Sequence, residues 1–274
     1  MGKRKRRPVP VFDHPIIETH CHLDYLKGEP LEDIIMAAEK VNIERFITIS
    51  VSPENLATVR ALAGNHPRVY GTQGIHPHEA RHWHDGLCTE IRDAIHESPH
   101  RLVAVGEIGL DYHYDFSTPE QQQHAFRAQM ELACELDRPV VIHTREADED
   151  TLAILQEFEG RLNKPGVLHS YTSGAELARY ALDQGWYIGF NGICTFNKAE
   201  NVRDIIRMTP VDRIVLETDA PFLAPDPYRG KENTPYYLPF VAEKIAGIKD
   251  MTVEEFLPQA YRNSEALFFS QQAQ

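Results

Sequence analysis

Six residues of this sequence share one chemistry and one kind of position. His20, His22, Glu107, His143, His169 and Asp219 each stand where a β-rich run gives way to a loop. The runs end in Glu18-Thr19-His20-Cys21-His22-Leu23-Asp24, Gly106-Glu107-Ile108-Gly109-Leu110-Asp111-Tyr112, His143-Thr144-Arg145, His169-Ser170-Tyr171 and Glu217-Thr218-Asp219-Ala220-Pro221, and a further one ends Gly74-Ile75-His76-Pro77-His78. Side chains at i and i+2 of a strand share a face, so His20 and His22 can chelate one cation together. Four imidazoles and two carboxylates are too many for one tetrahedral zinc. They suit two ions about 3.5–4 Å apart, bridged by a carboxylate and a water that the pair activates for hydrolysis.

Each piece has a plainer reading. A lone strand-end His is ordinarily a hydrogen-bonded structural residue, HxH recurs by chance, and His76 or His78 could simply cap a loop. Six ligand-type residues ending five different strands are another matter, because burying them without a metal or a partner is costly. His66, His82, His84, His96, His100, His113 and His124 fall in expected helices or loops and read as solvated or structural. Cys21 lies between two histidines, but strand alternation points it away from them. No lysine ends the fourth or fifth run, which leaves Glu107, not a carbamylated lysine, as the bridging ligand. GxSxG, SxxK, GxGxxG and GxxxxGK[ST] are all missing, so the corresponding nucleophile and nucleotide-binding loops are not indicated.

The elements that must position these residues follow a single period. β-rich runs at Pro15–His20, Phe46–Val51, Arg68–Gly74, Leu102–Glu107, Pro139–His143, Gly166–His169, Trp186–Phe190 and Arg213–Glu217 alternate with helical patterns such as Leu31–Lys40, Glu54–Ala63, Glu120–Leu136 and Ala175–Asp183. In the longest helix Phe126, Met130, Ala133 and Cys134 make one apolar face, and Pro119 stands at its start. Eight strand–helix units predict an α/β fold of one domain, a (β/α)8 TIM barrel of the metal-dependent hydrolase type, whose strands are apolar almost throughout because helices cover them. Its active site belongs at the C-terminal ends of the strands, where the six residues lie. A Pro-rich loop at Pro221–Pro239 precedes a last helix at Thr252–Phe269.

The chain has 274 residues, close to the roughly 250 such a barrel takes, with 28 Lys+Arg against 41 Asp+Glu for a net charge of −13. That balance excludes a protein that grips long nucleic acid through a broad basic surface. It does not exclude local phosphate chemistry, because two divalent ions would add about +4 at the mouth. Lys3, Arg4, Lys5, Arg6 and Arg7 open the chain without an acid among them. Residues 1–12 read as a disordered basic arm, 13–270 as the barrel and 271–274 as a tail. Four dispersed cysteines predict reduced thiols in a cytoplasmic protein, and no run approaches the roughly 20 apolar residues of a membrane span. No membrane contact and no obligate protein partner is called for.

Together the motifs resemble the TatD-type metal-dependent deoxyribonucleases of the amidohydrolase superfamily. ETHCHLD (18–24), GIHPH (74–78), VGEIGLDY (105–112), PVVIHTREA (139–147), LHSYTSG (168–174), YIGFNG (187–192) and ETDAPFLAP (217–225) carry the resemblance in family order, from about residue 15 to YRNSEALF (261–268). HSYTSG departs from the more usual HCFSGS, beside His169 rather than at it. The resemblance implies a (β/α)8 barrel holding two divalent ions (Mg2+, Mn2+ or Zn2+), sometimes a third. It also implies nucleic acid as substrate, DNA before RNA, often cleaved as a 3′-to-5′ exonuclease. His20, His22 and Asp219 would then hold the first ion, Glu107 would bridge, and His143 with His169 would hold the second. His76, His78 and Glu217 fit a third ion or phosphate contacts.

On this reading Asp219 takes a proton from the attacking water and passes it to the leaving group. Arg145, on the same face as His143, either contacts the phosphate bidentately or forms a structural salt bridge. Tyr112 and Asn191 are expected to line the channel. Phe222 is expected to pack under its loop, with base stacking as the alternative. The ligand set does not choose the electrophile. The rivals are a small-molecule amide or lactone, the ester of a mischarged aminoacyl-tRNA, and a non-catalytic metal-binding scaffold, against which Asp219 counts.

Overall fold

Runs rich in Val and Ile, separated by helices of one buried face, give parallel strands that lie side by side in chain order. The computed structural model describes residues 6–270. Its strands are β1 (Ile16–Cys21), β2 (Ile43–Thr48), β3 (Val69–Gln73), β4 (Leu102–Asp111), β5 (Val140–Arg145), β6 (Val167–Leu168), β7 (Tyr187–Phe190) and β8 (Ile214–Leu216). All neighbouring pairs from β1–β2 to β7–β8 are parallel. Beyond β8 the chain returns to β1. The Asp219 amide donates to the His20 carbonyl at 2.9 Å, the His22 amide to the Ala220 carbonyl at 2.7 Å, and Thr19 Oγ1 to the Leu216 carbonyl at 2.9 Å. These bonds close the ring, so the expected (β/α)8 barrel is the observed one.

Helices α1 (Leu31–Glu39), α2 (Leu56–Asn65), α3 (Asp85–Glu97), α4 (Pro119–Leu136), α5 (Asp148–Glu157), α6 (Ala175–Asp183), α7 (Glu200–Met208), α8 (Leu238–Ile248) and α9 (Val253–Phe268) cover the outside. Thr118 with Gln121 and Thr252 with Glu255 form capping boxes that start α4 and α9, each satisfying two otherwise orphaned amide donors. The core divides in two. One cluster fills the space between strands and helices. The other takes Ile17, Ile47, Val103, Val141, Val167, Tyr187 and Val215 from seven strands, together with Leu267, Phe268 and Phe269 from the end of the chain. A set drawn from that many strands meets on the barrel axis, and the closing aromatics plug it.

Three expectations change. β4 runs four residues past Glu107 and carries Asp111 into the site. α8 begins inside the expected Pro-rich loop, because Pro239 sits in its first turn, where proline is tolerated. The expected free arm lies outside the described residues up to residue 5, and of residues 6–12 several are exposed while a few contacts tie the segment to the barrel. Val9 is buried, Arg7 pairs with Glu243, and Tyr228 donates its hydroxyl to the Arg7 carbonyl. The tail 271–274 lies outside the described residues. Among those described, no helix is long and apolar enough to cross a membrane.

Candidate metal centre

The strand ends deliver all six expected ligands to one place, around Glu107. This carboxylate is almost fully buried, with its two oxygens turned to different histidines. Oε2 lies 3.4 Å from His20 Nε2. Oε1 lies 2.9 Å from His169 Nε2, 3.0 Å from His143 Nδ1 and 3.6 Å from His76 Nε2. Asp219 completes the cluster from β8, with Oδ1 3.4 Å from His22 Nε2 and 3.7 Å from His20 Nε2. The donor atoms of His20, His22 and Glu107 lie within 4.8 Å of one another, as do those of His76, Glu107 and His143 and those of His20, His169 and Glu217. The first two groups share Glu107.

The close fit depends on two glycines. Gly109 has φ +135°, and a Cβ there would fall 2.0 Å from the His143 carbonyl oxygen. A Cβ on Gly189 would fall 2.5 Å from Glu217 Oε2. Glycine lets β4 press against β5, and β7 against the carboxylate.

Behind the cluster, hydrogen bonds hold two of the rings and a carboxylate faces the third. His22 Nδ1 donates to the Ile49 carbonyl at 3.3 Å, which turns Nε2 toward Asp219. His143 Nε2 meets Asp111 Oδ2 at 2.9 Å, which turns Nδ1 toward Glu107. His169 Nδ1 lies 3.4 Å from Glu217 Oε1, which turns Nε2 toward Glu107. Carboxylates or carbonyls on the far nitrogen are the usual supports of a metal-binding imidazole. Asp111 and Glu217 are each about 1% exposed, and Asp111 Oδ1 also accepts the amides of His113 and Tyr114. Sequence reasoning quoted Asp111 without giving it a role. The signal available was its spacing of four from Glu107 on one strand, which puts both on the same face. Glu217 faces the back of His169 and does not line the mouth. Glu18 was also passed over. Its Oε1 accepts the amides of His20 and Thr218, tying β1 to β8, and burial pushes its pKa up to about 8.

Burial alone would discharge these histidines, and it lowers His20 and His76. At His22, His143 and His169 burial opposes the charged form too, yet the facing carboxylates outweigh it and raise all three. The histidines in turn hold Glu107, Asp111 and Asp219 below the usual carboxylate range against the effect of burial. Hydrogen bonding leaves His169 Nδ1 and His78 Nε2 without a partner, and His20 goes further. It is 1% exposed, stacks flat on His169 at 3.7 Å, and neither ring nitrogen has a hydrogen-bond partner. A buried polar atom left so demands a reason, and the donor set supplies one: hard carboxylates and imidazoles fit a divalent first-row cation.

His76 differs from the other ligand candidates. Its Nδ1 accepts the His78 amide at 3.1 Å. In a neutral ring this puts the proton on Nε2, so His76 offers a donor toward the centre, not a lone pair. His78 Nε2 lies 3.1 Å from Asp111 Oδ2, and Asp111 belongs to none of the three compact donor groups among the described residues.

Above the cluster opens a cavity of about 500 Å³ lined by His22, His76, His78, His143, Arg145 and Asp219 among others, within the range of small-ligand sites. Arg145 has no carboxylate partner among the described residues, and its guanidinium lies 5.3 Å from the Tyr114 ring centre. Of the expected channel residues, Tyr112 turns its hydroxyl to Asp150 at 2.7 Å, and Asn191 is buried against Ser170 and Glu217. Phe222 is exposed on the rim instead of packed under its loop.

Residues 17–269 match the family model described as TatD related DNase. The metal-dependent hydrolase YcfH of Escherichia coli K12 is 38% identical over 257 residues, spanning 92% of this chain and 95% of its own. The 3′-5′ ssDNA/RNA exonuclease TatD of Erwinia tasmaniensis is 34% identical, over 86% and 93%. Among solved structures, the TatD homologue YJJV of Escherichia coli K12 superimposes with a TM-score of 0.86 at 30% identity, covering 92% of this chain and 97% of that one. The chain belongs to the TatD-related DNase family and is a metal-dependent hydrolase acting on ester bonds.

Proposed function

We propose that this hydrolase cleaves phosphodiester bonds in nucleic acid, removing nucleotides from 3′ ends, with DNA preferred to RNA. His20, His22 and Asp219 would hold one divalent cation and His143 with His169 a second, with Glu107 shared between them; the imidazoles favour Zn2+ or Mn2+ by affinity, while Mg2+ is the ion that phosphodiester hydrolysis often uses. The observation that carries this reading is Glu107, whose two oxygens face two separate histidine sets beside the partnerless nitrogens of His20. The similarity to a relative named as an ssDNA/RNA exonuclease and the unpaired Arg145 on the mouth support nucleic acid over other esters.

When bound, the ions supply Lewis acidity to a phosphoryl oxygen and lower the pKa of water toward 7. The protein's own groups do the rest. Asp219, held as an anion by His22 and His20, accepts a proton from the attacking water and returns it to the departing oxygen. Arg145 forks onto the non-bridging oxygens and sets the phosphate in line. His76, with its proton on Nε2, donates into the same space, which favours its phosphate-contact role over a ligand role. Glu217, behind His169, is a positioning residue.

The test is release of label from a 3′-labelled single-stranded oligonucleotide with Mg2+ or Mn2+, abolished by chelation and by Asp219→Asn, whose isosteric amide cannot take the proton. An oligonucleotide left intact by a metal-loaded protein that opens lactones or amides would sink the proposal.

A further inference from the structure

Among the described residues, four aromatic side chains are exposed: Tyr25 at 36%, Tyr114 at 45%, Phe116 at 50% and Phe222 at 51%. All four stand at the mouth and on no other face. Tyr25, Tyr114 and Phe222 line it, and Phe116 packs on Tyr114 and His78 at its edge.

They form two platforms. Tyr25 follows β1 and Phe222 follows β8; their rings lie 5.3 Å and 6.0 Å from that of His22. Tyr114 and Phe116 lie in the loop after β4, 5.3 Å and 4.9 Å from His78. Arg145 sets its guanidinium over the Tyr114 ring, 5.3 Å from its centre, and the carboxylate–histidine cluster, Glu54 and Glu79 line the same mouth. Leaving large rings half in water forfeits burial energy, so a ligand with flat, apolar faces is the fitting occupant. The two rim carboxylates repel phosphates and steer the backbone to Arg145, leaving the rings for the bases.

We propose that the two platforms are separate base-stacking subsites, one for the base on each side of the phosphodiester held at Arg145. The inference rests on phosphodiester hydrolysis as proposed above. Every base has a π face, so such subsites ignore sequence and demand only that both bases be unpaired.

The experiment uses the full chain loaded with Mn2+, its metal content measured, on labelled single strands. Each strand carries an abasic residue at the terminal position, at the penultimate position, or at neither. Phe222→Ala and Tyr114→Ala are each expected to raise KM about 5- to 100-fold on intact ends, with a much smaller change in kcat. Each variant should be insensitive to the abasic residue at one position only, the two variants at different positions. Phe222→Trp, which keeps the platform, should hold KM near the wild-type value. Unchanged KM in the alanine variants, or losses that simply add to the abasic penalty at both positions, overturn the stacking subsites. A wild-type protein that cleaves none of the strands defeats the nuclease reading and this one with it.

Discussion

Replacing Asp111 by Asn removes one charge behind the site while keeping its shape. Oδ1 of the amide still accepts the amides of His113 and Tyr114, which Asp111 holds at 3.0 Å and 3.4 Å. The other oxygen is what changes, since it faces His143 Nε2 at 2.9 Å and His78 Nε2 at 3.1 Å. An amide nitrogen there opposes the proton on His143 Nε2. The ring then relieves the clash by carrying its proton on Nδ1, the nitrogen that faces Glu107. Losing a carboxylate support of this kind weakens metal affinity about 10- to 100-fold, which is about 1.4–2.7 kcal/mol. That agrees with the roughly 1.5–3 kcal/mol of a charge-assisted hydrogen bond. The assay is competition for Mn2+ or Zn2+ against a fluorescent chelator, with circular dichroism to confirm the fold. The weakening should fall on one ion, the one His143 is proposed to hold. Affinity within twofold of wild type at both sites would refute the orienting role of Asp111.

Three further outcomes are expected. His22, His143 and His169 have pKa values raised above the ordinary 6.5 in the metal-free protein, so their stabilising pairs are fully present below about pH 6.5 and are lost as pH rises through the raised values. A cation must displace those protons, so calorimetry at neutral pH should show heats that depend on the buffer's ionisation enthalpy, less so at alkaline pH; identical heats in two buffers at neutral pH count against the assigned ligands. Arg145→Lys keeps the charge but loses the fork, and should cost tenfold or more in kcat/KM on oligonucleotides with metal content unchanged; loss of metal would point to a structural role instead. Gly109→Ala puts a methyl group 2.0 Å from the His143 carbonyl at a φ of +135°, for an expected loss of about 3 kcal/mol or more in urea unfolding; a loss under about 1 kcal/mol would show that β4 and β5 can separate there cheaply.

The architecture and the gathering of six ligand-type residues at one mouth were legible in the sequence because both follow from local pattern. Strand alternation puts His20 and His22 on one face, the repeated strand–helix period sets a barrel, and a barrel brings every strand end to one mouth. Only the fold decided which nitrogen of each ring faces inward, because that depends on partners distant in sequence: Asp111 against His143, Glu217 against His169, Ile49 against His22. It also decided that His76 presents a proton, that Tyr112 and Asn191 turn away, and that Phe222 stands in water. Residue type and spacing state what a side chain can do. Which of its atoms is free to do it depends on neighbours that the chain brings close only when the ring of strands has closed.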